Sequence, residues 1–480
     1  MHKVTVHASE INSVCERRAR DCDGLVALLE KRFGLTAVAK IGRQEKRSGA
    51  RIGLLFLVVT VMPFLAFTTV RAFLCSQFTT LRRGLSKFAI ARFLNCPLLN
   101  WRRVMFEINK KIRKQDDLKA APGRRPTALL VDDSLLTKAG KRIEGISSLF
   151  DHVTGRYRTG FKLLGLAWFN GTYTRMLDFA LVAERAIKVS RAFRKKRPAD
   201  SPGAERKREL AVDKITLAGD MIRRATKRGF IPNYVMFDSW FTCAELINLV
   251  RRLAHGYIHV LAMIKGGKRK FPFAGLELTL GQLRHHLEER RKPIYCRRFN
   301  TYYFTVECDL PGVGPVKLFI SKIGRRGKWV ALLTTNLKLT YIEVIELYAI
   351  RWSIEVLFKE CKGLLGLGKC QSNHFDAQIA HSTCVLMQHA MLASVKCAEE
   401  YRTIGELFRH RLEEQRVLTL VDRLLLLFEE LLREVARSMG VGREVKLGQF
   451  LDAPEFLVFK RTLKNSLITN VGFETARKAA

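Results

Sequence analysis

The sequence lacks the cysteine patterns that mark a zinc site or a disulfide framework. Its 480 residues include 11 cysteines, an odd number, and no two of them form a CxxC pair. No cluster of Cys and His has zinc-finger spacing. Residues 1–24, MHKVTVHASEINSVCERRARDCDG, are polar and charged, which is not the pattern of a secretory signal. We therefore expect free thiols in a reducing cytoplasm.

Long apolar runs are scarce as well. Residues 52–70, IGLLFLVVTVMPFLAFTTV, form one run of 19 residues without a charge, flanked by Arg51 and Arg71. A run of this length could cross a bilayer, which would make the chain a membrane-associated basic protein. However, Pro63 interrupts the run, and no second run of this kind exists. We therefore expect a buried helical hairpin here and no membrane partner.

Acidic residues are few relative to basic ones. The chain has 84 Lys and Arg against 45 Asp and Glu, a formal net charge of +39. Soluble domains need a net charge of only about 2–8, so this excess indicates a polyanionic partner, most often nucleic acid. The length allows two to four domains and a large buried core.

Hydrophobic periodicity and turn residues divide the chain into five predicted regions. Three antiparallel strands are followed by helix, strand, helix and strand, which is the element order of a ribonuclease-H-like α/β core with a mixed five-stranded sheet. Thr340, with Glu343 three positions later, is predicted to cap the helix that opens the last part of this core. The regions are a helical region suited to docking on DNA (1–120), the first part of the core (121–265), a β-rich insertion (266–338), the second part of the core (339–390) and a helical C-terminal region (391–480).

Acidic side chains end two of the predicted strands. Asp132 and Asp133 close TALLVDDS, and Asp238 follows the apolar run of YVMFDSWF. Because ligands of open α/β sheets bind near strand ends, both positions suit metal-holding carboxylates. Side chains alternate along a strand, so only one of Asp132 and Asp133 can face such a site. Aspartate is also a common turn residue, which is the alternative explanation for each position.

A polar motif lies in the stretch YAIRWSIEVLFKECK. Tyr348, Arg351, Glu355 and Lys362 are separated by 3, 4 and 7 positions. On one continuous helix these side chains would lie within roughly 60° of each other. A carboxylate suits a metal ion, and two cations with a phenol suit phosphate oxygens. The alternative is an ordinary ion pair between Arg351 and Glu355 on a solvated helix.

These residues match the Tyr-x2-Arg-x3-Glu-x6-Lys signature of bacterial insertion-sequence DDE transposases, and the chain resembles the insertion sequence four-like family from about residue 85 to 375. The blocks DDSLLTKAGKRIEG, FDHVTGRYRTGFKLL and VDKITLAGDMIRRATKRGFIPNYVMFDSWF also resemble that family. The resemblance implies a metal-binding catalytic triad of Asp133, Asp238 and Glu355. Asp133 is preferred to Asp132 because the family's first aspartate is usually followed by a small hydroxyl residue, here Ser134.

The resemblance also implies roles for other residues and a cofactor. Tyr348, Arg351 and Lys362 would hold phosphates at the transposon end. Trp329, in the insertion, would stack on a base flipped from the duplex, unless it is a core tryptophan of its strand. Two Mg²⁺ ions, for which Mn²⁺ can substitute, would support cleavage and strand transfer.

The implied partners are double-stranded DNA, as transposon ends and target, and a second copy of the chain, in the cytoplasm on the nucleoid. The helix from Leu418 to Leu432 is a candidate dimer interface, with packing inside its own subunit as the alternative. Basic runs are predicted to follow the DNA backbone, or else to be solvated faces. Two other functions stay open: a nuclease without strand transfer, and an inactive transposase-derived DNA-binding protein. The basic runs are Arg102–Arg103, Lys110–Lys114, Arg194–Arg197, Lys268–Lys270 and Arg325–Lys328.

Overall fold

A computed structural model describes residues 33–35, 52–65, 70, 85–118, 125–152, 154–184, 195–267, 269–398, 402–409 and 458. The chain divides into two compact units, and the larger comprises Phe33–Phe56 and Phe88–Glu400. The described residues of the smaller unit lie within 57–65, 85–87 and 402–409 and at 70 and 458. The sheet and all candidate site residues belong to the larger unit.

The apolar run forms a short helix, α1, from Ile52 to Val61. A single 3₁₀ turn, Met62–Leu65, follows at Pro63, which cannot continue the hydrogen-bond ladder of a helix. Within the part of the chain that the structure describes, no helix is long and apolar enough to span a bilayer. Most of the predicted second half of the hairpin lies outside the described residues.

The core sheet has the predicted mixed arrangement of five strands. Their order across the sheet is β4-β3-β1-β5-β6. Strands β1, β5 and β6 are parallel, whereas β3 runs antiparallel to both β1 and β4. This order confirms the ribonuclease-H-like fold class. The first six strands are β1 (Ala128–Thr137), β2 (Ser147–Asp151), β3 (Arg156–Phe169), β4 (Thr174–Val182), β5 (Tyr234–Phe237) and β6 (His259–Ile264).

Strand β2 was not predicted. It pairs with the first residues of β3, on the same edge that β4 occupies further along. Along one edge, the long strand β3 therefore pairs first with β2 and then with β4. A five-residue strand of this kind depends on its partner rather than on its own hydrophobic pattern.

Helices cover both faces of the core sheet. The remaining helices are α2 (Lys87–Leu94), α3 (Trp101–Leu118), α4 (Pro202–Arg208), α5 (Lys214–Lys227), α6 (Ala244–Arg252), α7 (Leu280–Arg290), α8 (Tyr341–Ala349), α9 (Trp352–Gly363) and α10 (Phe375–Ala398). Leu129 and Val131 of β1 belong to the buried cluster that α5 and α6 complete. Helix α9 packs against β1 and β4, and its Phe358 lies over Gly165 of β3. Because Gly165 is the partner of Asp132 and not of Val131, α9 lies on the opposite face from α5.

The predicted β-rich insertion extends the core sheet. Strand β12 (Val330–Thr334) pairs with β6, and β11 (Gly314–Ile323), β10 (Thr301–Leu310) and β9 (Ile294–Cys296) follow in that order. A separate hairpin forms from β7 (Lys270–Phe273) and β8 (Leu276–Thr279). The segment contains six strands and α7, and its interpretation as an insertion, like the bounds of the other predicted regions, stays a prediction.

Buried ion pairs hold the helices to this sheet. Asp178 of β4 is 1% exposed and accepts hydrogen bonds from Arg102 of α3 and Arg224 of α5, each at 2.9 Å. Arg102 also binds Glu209 at 2.7 Å. Burial raises the pKa of Asp178, but the neighbouring arginines outweigh it and leave that pKa below its usual value. The prediction that Arg102 follows DNA is therefore wrong, because its guanidinium is engaged inside the fold.

The basic run Arg194–Arg197 also contains a buried residue, although it was predicted to follow DNA or to form a solvated face. Arg197 pairs with Glu144, and its Nε lies 3.0 Å from Asp376 of α10. The side chain of Arg197 is only 5% exposed. Arg206 of α4 is 6% exposed and donates to the carbonyl of Phe179. These arginines form contacts inside the protein. The number of basic residues in this part of the chain therefore overestimates its exposed positive charge.

Candidate active site

Asp132 and Asp238 lie side by side at the edge of the β1–β5 pairing. In the parallel ladder Val131 of β1 is the partner of Phe237, the last residue of β5. The next residues, Asp132 and Asp238, therefore follow at the same level, which brings together two carboxylates that are 106 positions apart in the chain. The prediction that Asp132 and Asp133 end their strand is wrong, because β1 continues to Thr137 through its pairing with β3.

Asp132 and Asp133 point to opposite faces of β1. Asp132 lies opposite Gly165, beneath α9, whereas Asp133 lies opposite Leu164 of the core. The carboxylate of Asp133 accepts a hydrogen bond from Lys214 at the start of α5, with 2.6 Å between Nζ and Oδ2. The structure therefore places Asp132, and not Asp133, on the face that carries the glutamate helix.

The glutamate motif spans two helices. Thr340 caps α8 as predicted: its hydroxyl accepts the N–H of Glu343, whose carboxylate accepts the N–H of Thr340 at 2.8 Å. Helix α8 ends at Ala349 and α9 begins at Trp352, where one continuous helix was expected. Arg351, between them, keeps a right-handed helical backbone, with φ −54° and ψ −37°. The four motif residues therefore still lie near one face of the helix pair, as they would on a single continuous helix.

Arg351 connects the two sides of the site. Its Nη1 lies 3.2 Å from Asp132 Oδ2, and its Nη2 lies 2.7 Å from Glu355 Oε1. The whole residue is only 6% exposed. The ion pair of Arg351 with Glu355, raised above as an alternative, is present, and the same guanidinium also binds Asp132 of β1.

Asp238 closes a tight loop after β5. One of its carboxylate oxygens accepts the backbone N–H of Trp240 at 2.9 Å. The hydroxyl of Thr242 donates to the carbonyls of Asp238 and Met263, at 2.9 and 2.7 Å. Hydrogen bonds to the carboxylate and to the backbone carbonyl of Asp238 therefore hold this loop in place.

Tyr348 lies behind these carboxylates. It is 6% exposed, and its hydroxyl reaches the carbonyl of Phe237 at 3.5 Å. Burial, together with the charge of Asp238, raises the pKa of Tyr348 to about 12 despite the nearby Arg351. The phenol is therefore neutral at physiological pH and lies against the end of β5.

Lys362 reaches the same end of β1 from the far turn of α9. Its ammonium donates to the hydroxyl of Ser134 at 2.8 Å, and burial lowers its pKa. An open cleft of about 680 Å³ lies between these elements. The cleft is lined by Asp132, Asp133, Ser134, Glu355, Phe358, Lys359, Lys362 and Gly363.

The electrostatics of Asp132 favour a bound cation. Burial raises its pKa to about 7, and the charges of Asp133 and Asp238 add to this effect. Arg351 and the N–H of Asp133, which donates to Asp132 Oδ1 at 2.8 Å, act in the opposite direction. A buried carboxylate crowded by other carboxylates is stabilised by a nearby positive charge.

The donor set fits a hard divalent ion, because Asp and Glu oxygens are the ligands that Mg²⁺ and Mn²⁺ prefer. Among the described residues, however, no three acidic, His or Cys side chains converge closely enough to hold an ion as they stand. Arg351 lies between Asp132 and Glu355 and occupies an oxygen of each. The chemistry of the donor set fits the ion, and Arg351 is a cation bound to two of the same carboxylates.

Trp329 lies apart from this cleft, in the extended sheet. Its ring stacks on Phe304, with centroids 5.7 Å apart, and the ammonium of Lys322 lies 4.8 Å from its centroid. It packs half-buried against the hydrophobic core. Trp240 is instead 53% exposed, and the ammonium of Lys214 lies 3.9 Å from its ring centroid.

Neither Lys214 nor Trp240 was predicted to belong to the site. Lys214 follows the α5 cap, Asp213, and Trp240 follows Asp238 by two positions. Proximity to a strand-end aspartate could have drawn attention to Trp240. Only the fold shows that Lys214 reaches both Asp133 and this ring.

Two family models match the chain. One, described as a DDE superfamily endonuclease, matches residues 78–264, and the other, a transposase DDE domain, matches residues 212–388. The first match contains Asp132 and Asp238, and the second contains Asp238 and Glu355. No curated protein matches the chain significantly.

Proposed function

Because these matches support a DDE transposase, a transposase-type nuclease, we propose that the chain cuts DNA at the ends of an insertion sequence and joins the cut ends to a target. The observation that carries this proposal is that Asp132 and Asp238 follow the last paired residues of the β1–β5 ladder, with Arg351 linking Asp132 to Glu355. The Tyr-x2-Arg-x3-Glu-x6-Lys spacing favours the insertion sequence four-like branch. The ends would be the element's terminal inverted repeats.

The proposed metal ligands are Asp132, Asp238 and Glu355. Asp132 takes the place expected for Asp133, because Asp133 faces the other side of β1 and is paired with Lys214. When bound, two Mg²⁺ ions, or Mn²⁺ in their place, would make water or a hydroxyl group nucleophilic at neutral pH and stabilise the leaving oxygen. The side chain of Glu355 is 41% exposed, so its carboxylate is open to the cleft.

Cations of the cleft would orient the DNA strand. Lys362, steadied by Ser134, and the exposed Lys359 line the cleft beside Glu355 and suit non-bridging phosphate oxygens. Water would attack the phosphorus and release a 3′-hydroxyl end. That hydroxyl would then attack a phosphodiester of the target, which forms a new bond and releases a strand end.

Tyr348 suits a positioning role better than the direct phosphate contact that the resemblance implies. Its phenol is buried and lies against the carbonyl of Phe237, one residue before Asp238. We assign it to holding the end of β5 and the guanidinium of Arg351, whose carbon lies 5.7 Å from its ring centroid.

Trp240 suits the base-stacking role expected for Trp329. Trp329 packs between Phe304 and Lys322, whereas Trp240 is exposed two residues after Asp238. Stacking on an aromatic side chain accepts any base, because every base has a π-face.

The partners proposed are double-stranded DNA and a second copy of the chain in a synaptic complex, in the cytoplasm on the nucleoid. The net charge of +39 supports salt-dependent attraction to DNA. The exposed cations Arg325, Arg326 and Lys328, in the turn before β12, can contact the backbone. The candidate dimer helix from Leu418 to Leu432 lies outside the described residues.

Joining separates a transposase from a nuclease of the same fold. The experiment supplies a pre-cut DNA end with a free 3′-hydroxyl, a supercoiled plasmid and Mg²⁺. We expect covalent joining of the end to the plasmid. Cutting without joining would favour the nuclease, and DNA binding with neither step would favour an inactive DNA-binding protein.

A further inference from the structure

The proposed metal site already contains a positive charge, the guanidinium of Arg351. Arg351 donates to Asp132 Oδ2 and to Glu355 Oε1, so one guanidinium serves two of the three proposed ligands. The other oxygen of Asp132 already accepts the N–H of Asp133. Each oxygen of Asp132 therefore already accepts one hydrogen bond, and an ion bound at Asp132 would share this carboxylate with the guanidinium of Arg351.

Charge makes the guanidinium the group that must leave. A divalent ion bound between Asp132 and Glu355 would lie beside a cation only 6% exposed, where solvent screens the repulsion weakly. The N–H of Asp133 carries no net charge and belongs to a strand held on both sides by β3 and β5. The side chain of Arg351 is therefore the movable partner.

Arg351 also has an unused donor. Its Nε is buried and has no hydrogen-bond partner among the described residues. A buried donor without a partner is costly, so a further acceptor near it would be bound favourably. The planar guanidinium recognises phosphate with the same fork that it offers to carboxylates.

Solvent lies one side chain away from this guanidinium. Trp352, whose ring centroid lies 5.0 Å from the Arg351 guanidinium carbon, is 57% exposed. The side chain of Glu355 is 41% exposed. A DNA phosphate in the cleft can therefore come close to Arg351 without unfolding the helix pair.

We propose that Arg351 blocks metal binding until a DNA phosphate withdraws it from Asp132 and Glu355, so that DNA and metal bind with positive coupling. This inference rests on the proposed function, since it concerns the same site. Coupling between two ligands is reciprocal: if DNA tightens metal binding, the metal tightens DNA binding by the same factor. The arrangement would keep the site free of metal ions until DNA is in place.

The test measures Mn²⁺ affinity by calorimetry and electron paramagnetic resonance, with and without a short mixed-sequence DNA duplex. Arg351→Gln removes the charge, and without DNA it should bind Mn²⁺ about tenfold more tightly than the wild type, a typical coupling factor. DNA should tighten Mn²⁺ binding about tenfold more in the wild type than in Arg351→Gln. Arg351→Lys, whose single ammonium does not match the two-pronged fork, should lie between them.

Lys359→Gln is the matched control, because Lys359 is an exposed cation that lines the same cleft. It should change Mn²⁺ affinity by less than Arg351→Gln does, and circular dichroism identifies any variant that misfolds. Equal Mn²⁺ affinities and equal DNA effects in wild type and Arg351→Gln would overturn the inference, as would equal tightening in Lys359→Gln. If Asp132→Asn and Glu355→Gln also leave Mn²⁺ binding unchanged, the proposed metal site itself fails.

Discussion

Asp132 and Asp133 are neighbours in the chain, yet they lie in different chemical surroundings. Asp132 shares its face of β1 with Arg351 and α9, while Asp133 faces α5 and pairs with Lys214. Strand alternation requires that only one of them reach the site. The small hydroxyl residue after Asp133 favoured that aspartate, but the pairing of β1 with β3 determines which face each occupies.

Two matched substitutions test this assignment. Asp132→Asn should lower metal-dependent cleavage on the order of 100-fold or more, because losing even an outer-shell partner of a metal typically costs 10–100-fold. Asp133→Asn should keep most of the activity, since it weakens only the bond to Lys214. Cleavage rates at saturating Mg²⁺ compare the two. The reverse ranking would return the role to Asp133.

Trp240 and Trp329 are a second pair that a direct comparison separates. Trp240→Ala should lower cleavage about tenfold, since stacking of a base on an aromatic ring is worth about 1–3 kcal/mol. Its thermal stability should change little, because the ring is exposed. Trp329→Ala should instead lower thermal stability, because its ring packs on Phe304. Loss of cleavage in a stably folded Trp329→Ala protein would restore the original assignment.

At the scale of elements, the glutamate motif depends on how α8 begins. The Thr340 and Glu343 side chains satisfy each other's backbone N–H groups and fix the first turn of that helix. From there the chain passes through Arg351 into α9 without leaving the helical region of backbone conformation. The cap thus fixes the residue at which the helix begins, and with it the face of the helix on which the motif residues lie.

Thr340→Ala should weaken this first turn by about 1 kcal/mol, the usual contribution of an N-cap side chain. Hydrogen exchange at the amides of Glu343 and Val344, which donate to the hydroxyl and the carbonyl of Thr340, should then be about fivefold faster. Thr279→Ala, in the matching capping box of α7, is the control and should leave those amides unchanged. Unchanged exchange in Thr340→Ala would show that packing alone holds α8.

Local patterns predicted most elements of the core. Apolar runs identified the strand residues before Asp132 and Asp238, and an amphipathic pattern identified α5, because burial on one or both faces leaves a direct mark on the sequence. Strand β2 left no such mark, since pairing with β3 specifies it. The extension of the sheet through β12 likewise depends on pairing with β6, which is distant in the chain.

The candidate site was predictable in part for the same reason. Strand ends and helix spacing indicated Asp238, Arg351 and Glu355 as a group. The choice between Asp132 and Asp133, the burial of Tyr348 and the packing of Trp329 all depend on long-range contacts. A sequence pattern can indicate such residues, but it does not show which residues contact them in the fold.

At the scale of the whole molecule, the basic residues fall into a buried group and an exposed group. Arg102 is buried in an ion pair that joins α3 to β4, and Arg197 is buried in ion pairs with Glu144 and with Asp376 of α10. Arg325, Arg326 and Lys328 are exposed. Removing one partner of a buried pair leaves an uncompensated charge. Part of the basic excess therefore stabilises the fold, and only the remainder is available to DNA.

Asp178→Asn tests the buried network. It should lower the free energy of unfolding by about 3–5 kcal/mol, because Arg102 and Arg224 would lose the buried anion that they share. The midpoint of urea unfolding measures this change. Asp220→Asn, which breaks an exposed pair with Arg223, should cost less than about 1 kcal/mol. Equal midpoints for the two variants would show that the network contributes little.

The central claim is that Asp132, Asp238 and Glu355 form a metal-dependent site that cuts DNA. The most direct test compares wild type and Glu355→Gln for Mg²⁺-dependent nicking of DNA, with gel-shift binding measured in parallel. We predict that nicking falls on the order of 100-fold or more, since a first ligand should matter more than an outer-shell partner, while DNA binding persists. Nicking at the wild-type rate by Glu355→Gln would contradict the claim.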